Sequence, residues 1–377
     1  MLKKITIISY ATYPGTTPRN MRTHELAKEL ARQGHNVNLY VLKGGYDYSE
    51  YERETGINIK SLGKTWFFKY NHNTGAQLNI ISKVIRKFIG KFVEYPFIEL
   101  MFNVYSVLKA EKSIDLLITI AVPYPLHWGT AIFRTLNRDS LQKTIWVADC
   151  GDPYMGNAFH KRPFYFKYLE KWFCKEADYI SIPIEAAKNA YYAEYQNKIK
   201  IIPQGFSFDG VNLEAVYKKN SVPTFIYAGI FYKNLRDPRP FLDYLVSLNI
   251  DFKFIIYTKT KDFLYEYSEL LKDKMYIYDY ISREQLLFEM RKADFLINLE
   301  NLSQVQAPSK LIDYMLSDRP ILSINTNIEL DKDLINEFLN YDYSRSLKLD
   351  NIQKYNIINV AKEFLNLTKS DKNLDQK

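Results

Sequence analysis

Residues Ala293–Ile324, ADFLINLENLSQVQAPSKLIDYMLSDRPILSI, decide the reading of this chain. Phe295 to Leu299 reads as a buried strand, a polar loop follows, a helix opens at Pro308, and Pro320 to Ile324 reads as a second strand. Proline suits the first helical position, where no backbone donor is needed. The next amides, at Ser309 and Lys310, then point out of a helix N-terminus that attracts anions. Asp313 follows about one turn later, within reach of a neutral polar group beside that anion. An anion on a helix N-terminus next to a carboxylate suited to hydroxyls is how a nucleotide's phosphate and ribose are held. Pro308, Ser309 and Asp313 are therefore candidate nucleotide contacts, and Lys310 is a candidate catalytic cation.

Working outward, short β-rich runs alternate with helical stretches, the pattern of parallel sheets covered by helices. Strands are expected at Ile5–Ser9, Val37–Leu42, Leu116–Ile120, Thr144–Ala148, Tyr179–Ile182 and Ile199–Ile202, and again from Thr224–Ala228 through Phe252–Tyr257, Met275–Ile277 and Phe295–Leu299 to Ile321–Ile324. Helices are expected between them, including Ile80–Phe92 and Ile184–Glu194. The polar stretch from Gly205 to Val222 separates two complete strand–helix sets. The expected organisation is two Rossmann-like domains facing across a cleft, 1–205 and 206–368, with a disordered tail at 369–377. Neither half carries a GxGxxG or a GxxxxGK[ST] run, which counts against a dinucleotide cofactor and a P-loop.

Composition narrows the class. At 377 residues, 47% hydrophobic and 25% charged, the chain is long enough for two cores and ordinary for a soluble protein. Its two cysteines, Cys150 and Cys174, make neither a disulfide framework nor a metal-ligand set, and a cytoplasmic location is expected. The run Leu116–Phe133 approaches bilayer-spanning length, but Pro123, Pro125, His127 and Gly129 interrupt it. Charge is uneven: up to Pro203 there are 28 Lys+Arg against 18 Asp+Glu, and beyond it 23 against 25. The basic excess thus lies in the first half and predicts an anionic partner there. No nucleic-acid-binding signature accompanies it, so an anionic membrane surface or a lipid-phosphate acceptor fits better. Between Asn79 and Val93, apolar residues recur at helical spacing with Lys83, Arg86, Lys87 and Lys91 on the other side. That is the pattern of a basic amphipathic helix on a membrane, and equally of a helix packed on its own sheet.

The Pro-Ser-Lys helix start, the acidic residue after it and the later Pro320 resemble the donor-nucleotide motif of family 4-like glycosyltransferases with the GT-B fold. Four further stretches match in order: Arg22 with ELAKELARQGHNVNLY; WVADCGDP at Trp146–Pro153; EKWFCKEADYISIP with KIKIIPQGFSFD; and FIYAGIFYKNLRDP at Phe225–Pro238. The resemblance implies a retaining transfer from a nucleotide-sugar to a glycan or lipid-linked acceptor in surface-polysaccharide or lipopolysaccharide synthesis. It implies an acceptor-binding first domain and a donor-binding second one. It also places Gly229 and Lys233 at the phosphate loop and Tyr280 and Ile281 at the base. Two departures stand out. The acid usually eight positions before Asp313 is Val305, leaving Glu300 or Gln304 for the donor sugar, and the basic residue often following the first donor-domain glycine is Ile230.

The chemistry requires stabilising a departing diphosphate. The only Asp-x-Asp spacing, Asp331–Asp333, reads as a helix cap, so no metal cofactor is expected. Charge must then come from Arg236, Lys233, Lys310 and the helix dipole. On the acceptor side, Asp152 at a strand end and His127 after Pro-Tyr-Pro are the candidate catalytic groups, although a lone histidine in that position reads first as a structural one. The rival readings are a catalytically silent GT-B domain serving as an assembly partner and a nucleotide-sugar 2-epimerase.

Overall fold

The computed structural model describes residues 2–369 apart from 16, 67–87, 139–142, 158–160, 209–216, 232–236, 301–308, 327 and 349–350. Outside the described residues lie Lys83, Arg86, Lys87, Lys233, Arg236, Gln304, Val305 and Pro308, most of the expected helix Ile80–Phe92, and all of the expected tail but residue 369. The chain divides into two compact units, 1–207 with 354–377, and 208–353.

Unit 1 is a seven-stranded parallel sheet. Its strands are β1 (Lys4–Ser9), β2 (Asn36–Val41), β3 (Asn58–Ser61), β4 (Leu116–Ala121), β5 (Ile145–Cys150), β6 (Tyr179–Ile182) and β7 (Ile199–Ile201), in the order β3-β2-β1-β4-β5-β6-β7. β1, β4 and β5 are buried almost end to end because both faces are covered. On one face lie α1 (Pro18–Arg32) and the returning C-terminal helix. Thr17 caps α1 by accepting from the Asn20 amide, and Pro18 occupies its first turn. Further helices of this unit include α2 (Ser49–Thr55), α3 (Leu100–Ala110), α4 (Pro125–Leu136) and α5 (Phe166–Glu176).

Unit 2 is a five-stranded parallel sheet of β8 (Thr224–Ala228), β9 (Lys253–Tyr257), β10 (Met275–Tyr278), β11 (Phe295–Leu299) and β12 (Ile321–Ile324), in the order β10-β9-β8-β11-β12. Its helices are α6 (Arg239–Ser247), α7 (Leu264–Leu271), α8 (Arg283–Lys292), α9 (Ser309–Ser317) and α10 (Lys332–Leu339). Phe225 on β8 is in register with Phe254 on β9 and Phe295 on β11, and its ring stacks on both at 4.8 and 4.7 Å. That aromatic row locks three strands together at the centre of the core. Asp331 caps α10, accepting from the Leu334 amide at 2.9 Å, as its spacing from Asp333 indicates.

Two expectations are corrected and two elements are added. The second domain does not extend to 368: α11 (Ile357–Asn366) belongs to unit 1, where Ile357, Val360, Ala361 and Phe364 pack into the core beside Leu26 and Leu30 of α1. Gly205 permits this, since a Cβ there would sit 2.4 Å from Ile357 Cδ1. The helix expected at Ile184–Glu194 is two 3-10 segments, Glu185–Ala190 and Ala193–Lys198. They are separated by Tyr191, an extended residue whose ring is drawn into the core. Strand β3 and helix α2 were not anticipated, because β3 is a four-residue edge strand with only Ile59 buried.

Candidate functional site

In unit 2 the strand order reverses between β8, which is followed outward by β9 and β10, and β11. In an open parallel sheet, that reversal leaves a crevice beyond the strand C-termini where ligands bind. Here the two strands pair only through Phe225–Phe295 and Ile226–Leu296. Beyond them the Tyr314 hydroxyl stands between the strands, accepting from the Ala228 amide at 3.1 Å and donating to the Ile297 carbonyl at 3.0 Å. A side chain from the second turn of α9 thus satisfies both backbone groups and ties that helix to the ends of β8 and β11.

Of the donor-site residues expected from sequence, Gly229, Tyr280, Ile281, Ser309, Lys310 and Asp313 are among the described residues of unit 2. Gly229 follows β8, its amide donating to the Tyr257 carbonyl. The Lys310 ammonium, in the first turn of α9, lies 4.7 Å from the centroid of the Tyr227 ring, which stacks on Phe231. Asp313, one turn on, accepts from Arg283 Nε at 2.7 Å. Burial pushes the Asp313 carboxyl above its ordinary value, partly offset by that guanidinium. Arg283 opens α8, whose start is set by a reciprocal Ser282–Gln285 capping box. Inspection of the sequence missed Arg283, because nothing local marks it as the partner of a residue thirty positions away. Tyr280 and Ile281, after β10, are exposed, with Lys259 5.0 Å from the Tyr280 ring centroid. Glu300 closes β11: Asn298 donates to Ser323 Oγ at 2.8 Å and Ser323 donates to Glu300 at 2.9 Å. Glu300 and Ser323 line a cavity of about 260 Å³ with Asn325 and Leu330. A larger cavity, about 730 Å³, lies at the opposite end of β12, beside Arg319 and Pro320. It is the wrong end of the sheet for a ligand that uses strand C-termini.

In unit 1, the corresponding rim holds two arginines from the first turns of α1. Arg22 is almost wholly buried and pairs with Asp149 on β5 through two hydrogen bonds of 2.5 Å, while donating to the Pro203 and Ile202 carbonyls. Ser181 donates to the same carboxylate at 2.6 Å. Burial alone raises an acid, but here Arg22, with Arg19 and Ser181, holds the Asp149 carboxyl below its usual range. Arg19 lies more openly, 3.7 Å from Asp152, and presses on Gly151, where any Cβ would meet its guanidinium within 2.4 Å. Asp152 is partly exposed at the strand end, as its position after β5 implies.

His127 is a correction. It is fully buried on α4, its Nδ1 2.7 Å from Thr119 Oγ1 and its Nε2 3.4 Å from the Cys150 sulfur. Burial lowers its pKa to about 3, so it is a neutral core histidine, out of contact with solvent. Cys150 and Cys174 are buried free thiols, both pushed up by burial, which leaves them poor nucleophiles.

The same core carries a costly acid. Glu170 on α5 is fully buried, and its Oε2 has no hydrogen-bond partner among the described residues. Burial raises its pKa to about 7 against weak opposition from the Met155 and Tyr154 amides. A folded-state pKa above the unfolded one means this group's contribution is complete below the ordinary carboxylate range and is lost as pH rises through about 7. Glu170→Gln is therefore expected to change little at pH 5 and to stabilise by on the order of 3 kcal/mol at pH 8. Urea midpoints at the two pH values check this; parallel shifts at both would mean that the carboxylate is solvated or paired.

Among the described residues no helix is long and apolar enough to cross a membrane, and no three His, Cys, Asp or Glu side chains are grouped to hold a metal ion. No family model matches the sequence, and a sequence search finds no curated relative. By structure the chain is similar to a glycosyltransferase from Rickettsia africae ESF-5, with a TM-score of 0.64 at 12% identity over 99% of both chains. It is also similar to the lipopolysaccharide outer core galactosyltransferase WaaB, at 0.62 and 13% over 98% of this chain and 99% of that one. Anabaena HepE in complex with UDP-glucose matches at 0.56 and 10% over 98% of this chain and all of the other. At such identities the likeness establishes the fold. The chain has the two-domain α/β architecture of GT-B glycosyltransferases.

Proposed function

We propose that this protein is a retaining, metal-independent glycosyltransferase that takes a sugar from a nucleotide-sugar. Its acceptor is a glycan or lipid-linked precursor of a surface polysaccharide or lipopolysaccharide, met at the cytoplasmic face of an anionic membrane. The observation that carries the reading is the crevice between β8 and β11, where Tyr314 ties the second turn of α9 to both strands and Lys310, in its first turn, lies over the Tyr227 ring of β8. Helix dipole, backbone amides and a lysine together suit a diphosphate. A fold neighbour holding UDP-glucose supports a nucleotide-sugar as the ligand. Asp313 is suited to a ribose hydroxyl while Arg283 holds its carboxylate in place, and Glu300, beside Ser323, is suited to the donor sugar. The basic first unit, with Arg19 and Asp152 at its rim, is the acceptor side.

The test is a panel of nucleotide-sugars scored by thermal stabilisation and slow donor hydrolysis, with and without EDTA. One donor is expected to stabilise the protein and to be hydrolysed equally in EDTA. Activity lost in EDTA and restored by manganese or magnesium would overturn metal independence, and stabilisation by none of the panel would favour the silent-domain reading. Asp313→Asn is expected to weaken the nucleotide-sugar roughly tenfold, the worth of a hydrogen bond to a charged group, and to leave inorganic pyrophosphate unaffected. Equal losses for both ligands would remove the ribose contact.

A further inference from the structure

We propose that unit 1 docks on an anionic lipid bilayer through an aromatic and basic face assembled from four separated stretches: Lys64–Trp66, residues 88–93, Phe102, and the turn entering α5 at 161–168. The assignment rests on the membrane placement proposed above and names the surface responsible for it.

Four large apolar side chains stand in solvent here, Trp66 at 82% exposure, Phe164 at 72%, Phe88 at 63% and Phe102 at 61%. Single exposed hydrophobics are ordinary on any surface; a group held together is not. Hydrogen bonds hold these stretches in two pairs, which adjoin through residues 94–99 of the chain. The Trp66 amide donates to Glu99 Oε2 at 2.7 Å, three residues before Phe102, and Asn103 donates to the Lys64 carbonyl. Residues 88–93 are helical, with the Phe88 and Phe92 rings 4.4 Å apart. The Tyr165 hydroxyl, beside Phe164, donates to the Phe92 carbonyl, and Arg162 pairs with Glu94. Tyr10, just beyond the end of β1, meets Phe97 edge-on at 5.3 Å, which joins this face to the rim carrying Arg19 and Asp152.

The charge on this face has one outward sign. Lys64, Lys91 and Lys161 are exposed, and Lys167 lies 4.9 Å from the Tyr168 ring centroid. The two acids of the segment between 93 and Phe102 are engaged internally: Glu94 is buried against Arg162 and Tyr154, and Glu99 accepts from the Trp66 amide. Exposed Trp, Phe and Tyr interspersed with lysines suit the headgroup boundary of a bilayer, where rings enter the interface and ammonium groups reach lipid phosphates. Lysine is depleted from protein–protein interfaces, and a face of uniform positive charge repels its own copy. An anionic membrane is the occupant that matches both the rings and the charge.

The experiment mixes the full-length protein with phosphatidylcholine vesicles, with and without phosphatidylglycerol. Trp66 is the reporter in a Trp172→Phe background, because Trp172 is partly exposed on α5 while Trp128 and Trp146 are fully buried. Phosphatidylglycerol vesicles are expected to shift its emission to the blue and to co-sediment the protein in a salt-sensitive way. A Trp66→Ser, Phe102→Ser, Phe164→Ser variant should partition at least tenfold more weakly. Lys64→Gln, Lys91→Gln and Lys161→Gln should each cost roughly fivefold, on phosphatidylglycerol vesicles alone. All six side chains are exposed, so the fold should persist, and nucleotide-sugar stabilisation measured on the same preparations scores the donor reading separately. Partitioning that is absent, or indifferent to lipid charge and to both sets of substitutions, overturns the proposal. So does a wild-type dimer that the aromatic variant converts to monomer, which would make this face a contact between copies.

Discussion

Lys310→Met is expected to lower kcat/KM for the nucleotide-sugar about 100- to 1000-fold, the loss seen when one preorganised electrostatic donor is removed from a reacting centre. Methionine keeps the apolar stem on the Tyr227 ring, and a sulfur–aromatic contact replaces much of the cation–π contact. Stability should therefore change by no more than about 1 kcal/mol. That separates the two roles open to this lysine. If it neutralises the departing diphosphate, kcat falls while the thermal midpoint barely moves, and Lys310→Arg, which restores the charge without the same geometry, recovers part of the rate. Turnover at the wild-type level in the methionine variant would reduce Lys310 to a packing cation.

The largest effect on stability is expected at Asp149. Asp149→Ala strips the carboxylate from a guanidinium with almost no access to solvent. Breaking a buried pair from one side costs roughly 3–5 kcal/mol, because the remaining charge is left uncompensated. The double change Arg22→Met with Asp149→Leu should sit closer to wild type than either single change, since it removes both buried charges. Urea unfolding followed by a probe in unit 1 checks the set, because two units need not unfold as one transition. Since the Asp149 carboxyl is held below its unfolded value, its contribution is present above the ordinary carboxylate range. It is lost as pH falls through the folded value, so the gap between wild type and variant should close in acid. A variant within 1 kcal/mol of wild type at neutral pH would mean that the site admits water.

Both predictions turn on contacts of different legibility. The α9 start was visible because a proline, two small steps of polar sequence and an apolar stripe mark a helix N-terminus locally. Strands β8, β11 and β12 fall on short, largely apolar runs, since a parallel strand covered on both faces needs apolar residues on each. The Arg22–Asp149 pair joins residues 127 apart. Each lies in a stretch whose pattern was recognised, yet Asp152, three positions on, drew attention instead of Asp149. Pattern shows which residue is polar on an apolar strand; it does not show which helix brings the opposite charge. His127 failed in the same way. A histidine after Pro-Tyr-Pro has the same local sequence whether it faces a rim or a core, and only packing between Thr119 and Cys150 decides that it is buried.

Local sequence by itself determined the alternation of strand and helix, the two-sheet organisation and the place where the first strand–helix set ends, because periodicity and turn chemistry act within a few residues. The tertiary structure decided the rest: that α11 returns to unit 1 over Gly205, that β3 joins the sheet edge, that Arg283 holds Asp313, and that the stretches carrying exposed aromatics are tied in pairs, 64–66 to α3 and 88–93 to the turn entering α5. Each of these depends on which distant surfaces bury one another. Burial is a property of pairs of elements and is written in neither element alone.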